Sequence, residues 1–444
     1  MSRSERRQLV LRCQSNIQDP SDFLQGWLLD STSSDKTIRR ENVAEWLLWG
    51  FFSSGPEALA EPDIAEEVEE YLALYEESLG QKLPPGKNPG IESIRPTLDK
   101  VVVYHRPLLW YMSVCGVDTV VASALWWFGF KHYTSPSPVF PPRPQTLFSN
   151  RSPSAQLSYW YRPASPQTKS QRTHPPLLFL HGIGIGLVPY TALLIDYAQK
   201  HPTTPIIVPE LLSVSARITQ PPLSHQDFQL ALQEIFNYHN IDEYSLAAHS
   251  YGTALAAGII RTTVKPTSNA FPAPLSVTLL DPIPLLLHQP SIARNFLYRP
   301  PQRANEHEIY YFACTDPGVA HSLARHFFWT HCVLWKEDLA HVGNSGPEPR
   351  VAVVLSGEDI IIDAPAVWTY LTGLALPDKK YPPPRPFVPP VPHPDAFTPT
   401  LCESAPNVLA VYLGGLDHAQ MFLRAPSRQG LIKIMDQVSA IAQT

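Results

Sequence analysis

Charge is in short supply in this chain. Only 17% of its residues are Asp, Glu, Lys or Arg, and the net charge is −6. No basic stripe remains to neutralise phosphates, which excludes nucleic acid as a partner. Cysteine is scarce too, with five residues at 13, 115, 314, 332 and 402 that show neither metal-ligand nor paired spacing. A disulfide framework and a cysteine-based metal site are thereby excluded, no metal is expected, and free thiols of a reducing compartment are expected instead. The charged opening Met1-Ser-Arg-Ser-Glu-Arg-Arg-Gln8 leads into no apolar run of secretory length. A cytoplasmic or cytosol-facing, membrane-associated location is therefore expected, not secretion. Internal repeats are lacking, as are the phosphate-loop and dinucleotide fingerprints.

What the chain has in quantity is apolar residues, 44% of the total, and 48 prolines. These imply a large core and long stretches of turn and linker. Residues 1–134 read as a helical N-terminal extension. Asn42–Phe52 is bulky and apolar, and Glu61–Leu79 places Ile64, Val68, Leu72 and Tyr75 at helical spacing above an acidic face expected to be solvated. Residues 107–130 form one hydrophobic segment, long enough to cross a bilayer and aromatic at both ends. Asp118 near its middle opposes a span, because a charge there costs a few kcal/mol; lying on a membrane surface or covering a domain are the other readings. The Pro-rich stretch 135–150 is expected to be a stiff linker.

From 151 to 444 strands and helices alternate, which predicts a mostly parallel α/β sheet. Residues 156–162 read as an edge strand. Strands follow at 175–180, 205–208, 244–248, 275–280, 351–355 and 408–413, with helices at 189–201, 226–238 and 365–374 between them. The aromatic segment at about 282–345 is expected to form a lid, with Phe327, Phe328, Trp329 and Trp335 facing an apolar substrate. The Pro-rich insert 379–400 is expected to be a surface loop or partner-docking segment, not part of the active site.

The chemistry centres on Ala248-His-Ser-Tyr-Gly252, a small-x-Ser-x-Gly turn between a buried strand and a small-residue helix. Such an elbow exposes the Ser250 hydroxyl at a strand end, and small residues at 248 and 252 let the two backbones approach. His181-Gly-Ile-Gly-Ile-Gly186 follows the strand at 175–180. Its His181-Gly182 start places the Ile183 amide to form, with the Tyr251 amide, a pair of oxyanion donors. Asp359, just past the 351–355 strand, is the candidate acid. Asp281 is a weaker one, and Asp363 reads as a helix N-cap. His418, after the last strand, is the candidate base, with Asp417 beside it.

The order Ser250, Asp359, His418, together with the His-Gly turn, resembles the α/β-hydrolase fold superfamily over residues 155–444. With its helical leader, the chain also resembles fungal members of that superfamily. The first resemblance implies an α/β fold with a mostly parallel central sheet, helices on both faces and a helical lid, behind the helical extension. It further implies a cofactor-free serine hydrolase, a carboxylester hydrolase or lipase-like enzyme acting on a small-molecule or lipid acyl substrate. An acyltransferase or C–C hydrolase on the same triad, or a non-catalytic binding protein of this fold, are the alternatives. His249 beside the nucleophile is not expected to act as a second base.

Overall fold

The computed structural model describes residues 1–30, 35–165, 174–264, 271–343, 348–376 and 397–440. The Pro-rich insert lies outside them as far as residue 396. The chain forms two compact units: Met1–Val102 with Leu286–Pro300 and Leu323–Val333, and the remainder from Val103 onward. The boundary thus falls at 102/103, ahead of the one expected at 134, and the segment read as a lid is divided between the units.

The smaller unit is built from α1 (Arg3–Gln14), α2 (Pro20–Gly26), α3 (Arg40–Leu47) and α4 (Pro62–Leu79), with a two-stranded pair of β1 (Leu28–Asp30) and β2 (Ile91–Ser93). Its core is aromatic, since Phe23, Trp27, Trp46, Phe51 and Tyr75 pack on one another at ring separations of 5.4–6.1 Å together with Trp49. Indole N–H groups buried in such a core need acceptors. Trp27 donates to the His288 carbonyl at 3.2 Å and Trp329 to that of Gly50 at 2.8 Å, both from the returning segments. The acidic face of α4 departs from the solvated reading at two positions. Glu67 and Glu76 are buried, and each meets an arginine, Arg6 and Arg40 respectively, at 2.7 Å.

The larger unit carries a ten-stranded sheet. Its strands are β3 (Lys131–Thr134), β5 (Asn150–Arg151), β6 (Tyr159–Arg162), β7 (Leu177–Leu180), β8 (Ile206–Pro209), β10 (Ser245–His249), β11 (Ser276–Leu280), β12 (Val351–Ser356), β13 (Thr400–Cys402) and β14 (Ala405–Leu413). A separate pair joins β4 (Val139–Phe140) to β9 (Ile218–Thr219). The sheet order is β13-β14-β12-β11-β10-β7-β8-β6-β3-β5. From β14 to β8 every neighbour is parallel. The central strands are apolar and buried along their length, as strands covered on both faces must be.

One face carries α5 (Leu108–Trp127), α6 (Thr191–Lys200) and the helix Ala425–Ser439, which share a core with Phe179, Leu280, Val354 and Val411. α7 (His225–His239) and α8 (Tyr251–Val264) pack together elsewhere on the sheet. Two expectations change here. β6 is interior, because β3 and β5 extend the sheet beyond it. Residues 135–150 are not a plain linker; they supply β4, a short 3-10 turn and the start of β5. The 107–130 segment belongs to this unit because Ala122, Leu125 and Phe130 enter the sheet core.

Candidate active site

β10 lies between β7 and β11, in register with both. It ends in Ser250, whose φ of 50° is the left-handed region that a non-glycine residue occupies only under constraint. The Ser250 N–H donates to the Leu280 carbonyl at 3.1 Å, and α8 starts at Tyr251. Gly252 is required by space, since a Cβ there would lie 2.3 Å from the Leu180 carbonyl oxygen. Ala248 is fully buried in the ladder without needing a glycine's freedom. A Cβ on Gly182 would meet Cβ of Ser250 at 2.8 Å, so the His-Gly turn presses directly on the elbow.

Three of the side chains singled out above come together. Nε2 of His418 lies 2.9 Å from Oγ of Ser250, and its Nδ1 lies 2.6 Å from Oδ2 of Asp359. Asp359 is aimed by its other oxygen, which accepts from the amides of Ile361 and Ile362 at 2.8 and 2.9 Å. Asp363 caps the following helix by accepting from Ala366 at 3.0 Å. Desolvation pushes the buried Asp359 carboxyl up from its ordinary value, with His418 pulling the other way. Burial opposes charge on His418, but Asp359, then Asp281 and Asp417, outweigh it and hold the imidazole up at about 9.

Several groups around these three were not legible as a set. Asp281 accepts from the Ser356 amide at 2.7 Å, the Ser356 hydroxyl at 3.0 Å and the Ala419 amide at 3.1 Å, and sits 4.0 Å from Nδ1 of His418. Asp417 ties two loops together, accepting from Ile360 at 3.1 Å, His418 at 2.7 Å and the Asn305 side chain at 2.6 Å. The Tyr190 hydroxyl accepts from the Gly182 amide at 2.9 Å and shares a hydrogen bond with Nδ1 of His249 at 2.8 Å. Burial pushes His249 down to about 4, which keeps its imidazole neutral. His181 is neutral as well: Leu211 donates to its Nε2 at 2.9 Å, leaving the Nδ1 proton for the Gly182 carbonyl at 2.8 Å. Both histidines are structural supports of the turn that contains Ile183.

Phe327, Phe328 and Trp329 belong to the smaller unit, whereas Trp335 is buried in the larger one. A cavity of about 300 Å³ in the larger unit reaches Tyr251 and is lined by Leu211, Leu212, Leu223, Phe228 and Leu255 among others. Among the described residues, two groups of side chains have metal-ligand spacing. His249, Asp281 and His418 are one, but both nitrogens of His418 are already engaged. His174, His201 and Asp436 are the other, where the Lys200 ammonium 2.7 Å from Asp436 opposes a second cation.

No family model matches the sequence, and neither does any curated protein. Solved structures similar to this one include carboxyl esterase 2 from the fungus Tuber melanosporum, at 12% identity and TM-score 0.40 over 72% of this chain and 96% of that one. A bacterial membrane phospholipase A is similar at 11% identity and TM-score 0.41, over 74% and 94% of the two chains. A 2-hydroxy-6-oxo-6-phenylhexa-2,4-dienoate hydrolase from Rhodococcus is similar at 14% and 0.37, over 63% and 95%. By its strand order, the positive-φ serine between β10 and α8, and the acid and histidine in the loops after β12 and β14, the larger unit has the α/β-hydrolase fold.

Proposed function

We propose that the chain is a serine hydrolase that cleaves an ester or related acyl bond through an acyl-enzyme. The observation that carries this reading is the single imidazole of His418 within hydrogen-bond reach of both Ser250 and Asp359. Asp359 holds the proton on Nδ1, which leaves the Nε2 lone pair for the Ser250 hydroxyl. As Ser250 attacks the acyl carbon, its proton passes to Nε2, and Asp359 and Asp281 stabilise the imidazolium so formed. The amides of Ile183 and Tyr251, at the ends of neighbouring parallel strands, supply the oxyanion donors. His418 then protonates the leaving alcohol, and a water that gives its proton to His418 releases the acid. Each of these steps uses side chains and backbone amides of this chain together with a water. The cavity reaching Tyr251, lined by leucines and Phe228 and also by Gln156, Ser158 and Glu210, suits an acyl or alcohol group with both apolar and polar parts.

The test is labelling of the full chain with a fluorophosphonate, beside Ser250→Ala, with hydrolysis of a p-nitrophenyl ester series in parallel. Labelling and hydrolysis that are both lost in the variant are expected. Well-folded wild type that takes up no label would sink the reading, as would a Ser250→Ala variant that labels equally well. Product analysis with an added alcohol separates hydrolysis from acyl transfer.

A further inference from the structure

The larger unit exposes a continuous apolar surface that the proposed chemistry does not use. It runs along the outer side of α5, where Leu109 and Trp127 are 76% and 87% exposed, with Leu108, Met112 and Val120 also exposed. The turn Pro144–Phe148 extends it, with Leu147 and Phe148 at 81% and 79% exposure and Phe148 edge-on to Trp126 at 6.1 Å. At the other end Trp110 packs on Tyr311 and Phe312 at 6.3 and 5.3 Å, and both of those rings are themselves exposed. Isolated apolar side chains on a surface need no explanation, but a contiguous patch of this extent does.

We propose that this surface docks onto the face of a lipid bilayer, with α5 lying in the interface and not spanning it. Three features select lipid. First, no charge lies between Arg106 and Lys131 except Asp118. That carboxylate is turned inward, 2.8 Å from Arg217 and 3.4 Å from Arg143, and it also accepts from Gln145. Second, the helix's hydroxyls are used within the helix. Ser113, Thr119 and Ser123 each donate to the carbonyl four residues back, at 2.8–2.9 Å. These three hydroxyls reach hydrocarbon already paired, and the indole N–H of the exposed Trp127 sits at the end of the helix, where headgroup oxygens can accept from it. Third, the surface carries aromatic rings, Trp127 and Phe148 toward one end and Trp110 with Tyr311 toward the other. Rings favour the headgroup level, where a helix lying in the interface sits along its whole length.

Asp118 also decides between lying on the membrane and crossing it. The helix is long and apolar enough to span. Spanning would strip Asp118 from Arg217 and Arg143, carry a carboxylate into hydrocarbon and take from Arg217 its ion-pair partner. Docking with the pair intact keeps Asp118 inside the fold while the opposite face meets lipid.

The experiment is flotation of the full chain with phosphatidylcholine vesicles, wild type beside Leu109→Glu/Val120→Glu/Trp127→Glu. Circular dichroism and the thermal midpoint serve as checks that the variant is folded. Wild type should rise with the vesicles, the folded variant should lose at least about tenfold of that partitioning, and an alkaline carbonate wash should release the bound wild type. Wild type that stays with the buffer, or a triple variant that floats equally well, overturns the proposal. Retention after carbonate overturns surface docking in favour of a span. A wild-type dimer that the triple variant dissolves, with no vesicle binding, assigns the surface to a second copy of the chain.

Discussion

The larger unit buries two clusters of charge, and they are balanced in opposite ways. Near the sheet end at β3 and β6, Asp118 and Glu210 meet the permanent cations Arg143 and Arg217. Glu210 also pairs with His132 at 2.9 Å and accepts from the Trp160 indole at 3.0 Å. Burial alone would raise the Glu210 carboxyl, but Arg143 and His132 outweigh it and hold it well below the usual carboxylate range. At the elbow, Asp281 and Asp359 face imidazoles, hydroxyls and amides instead. With no guanidinium as counter-charge, the field of these two carboxylates falls on imidazole, and it is His418, beside Asp359, that they hold up at about 9. Buried acid matched by arginine makes a rigid joint; buried acid matched only by imidazole makes a base.

The sharpest way to break this comparison is Asp359→Asn. It should lower kcat by about 10⁴-fold, because the imidazole loses its fixed tautomer. Steady-state kinetics beside Asp281→Asn decides which carboxylate is the working partner, and a larger loss in Asp281→Asn would exchange their roles. In the arginine-matched cluster, Arg217→Met should cost about 3–5 kcal/mol of stability in urea unfolding, because Asp118 loses its nearest cation while still buried. Asp118→Leu combined with Arg217→Met should cost less than Arg217→Met alone; an equal or larger cost would mean that the pair does more than balance charge.

A smaller effect sharpens the other side of the comparison. In the proposed reaction His418 must be neutral to accept the Ser250 proton, and it is held at about 9. kcat/KM should therefore rise with pH to an inflection near 9 and fall about tenfold per unit below it. Asp281→Asn removes one of the charges that raise His418, so the inflection should move to lower pH with only about a tenfold change in the plateau. A profile flat from pH 6 to 10 would contradict the assignment.

The smallest expected effect lies in acid stability. His249 is lowered to about 4 from an ordinary 6.5, so between those values the unfolded chain binds the extra proton. Its contribution is complete above 6.5 and is lost as pH falls toward 4. Glu210, lowered from 4.5, loses its contribution only below that value. Urea midpoints from pH 7 to pH 3 should show both windows. His249→Asn should shrink the upper one, which His239 and His288, also lowered to about 4, share, while leaving the lower one unchanged.

Much of the site could be read locally. Ser250, Asp359 and His418 each follow a buried apolar strand, and in a parallel sheet the loops after the strands gather on one edge. Partners that meet by packing left no such mark. Asp281 also follows a strand, yet nothing in its neighbours shows that it accepts from Ser356 and Ala419. Tyr190 reads as one more aromatic residue at a helix start, although it links Gly182 to His249. Glu67 and Glu76 sit in an acidic run that looks solvated until Arg6 and Arg40 arrive from other helices. Hydrophobicity likewise marked 107–130 as distinct without showing that Ala122 and Leu125 would join the sheet core.

By itself the sequence determined what depends on near neighbours along the chain. It specified apolar strands between helices, a serine flanked by small residues at a strand end, and an acid and a histidine in later strand-end loops. Those features follow from backbone propensity and side-chain period, which act over a few residues. Only the tertiary structure decided which buried charges are matched by arginine and which by imidazole. It alone turned Asp118 inward and left the opposite side of α5 bare. Such outcomes depend on groups tens to hundreds of residues apart sharing one desolvated volume, where the loss of water makes each partner count.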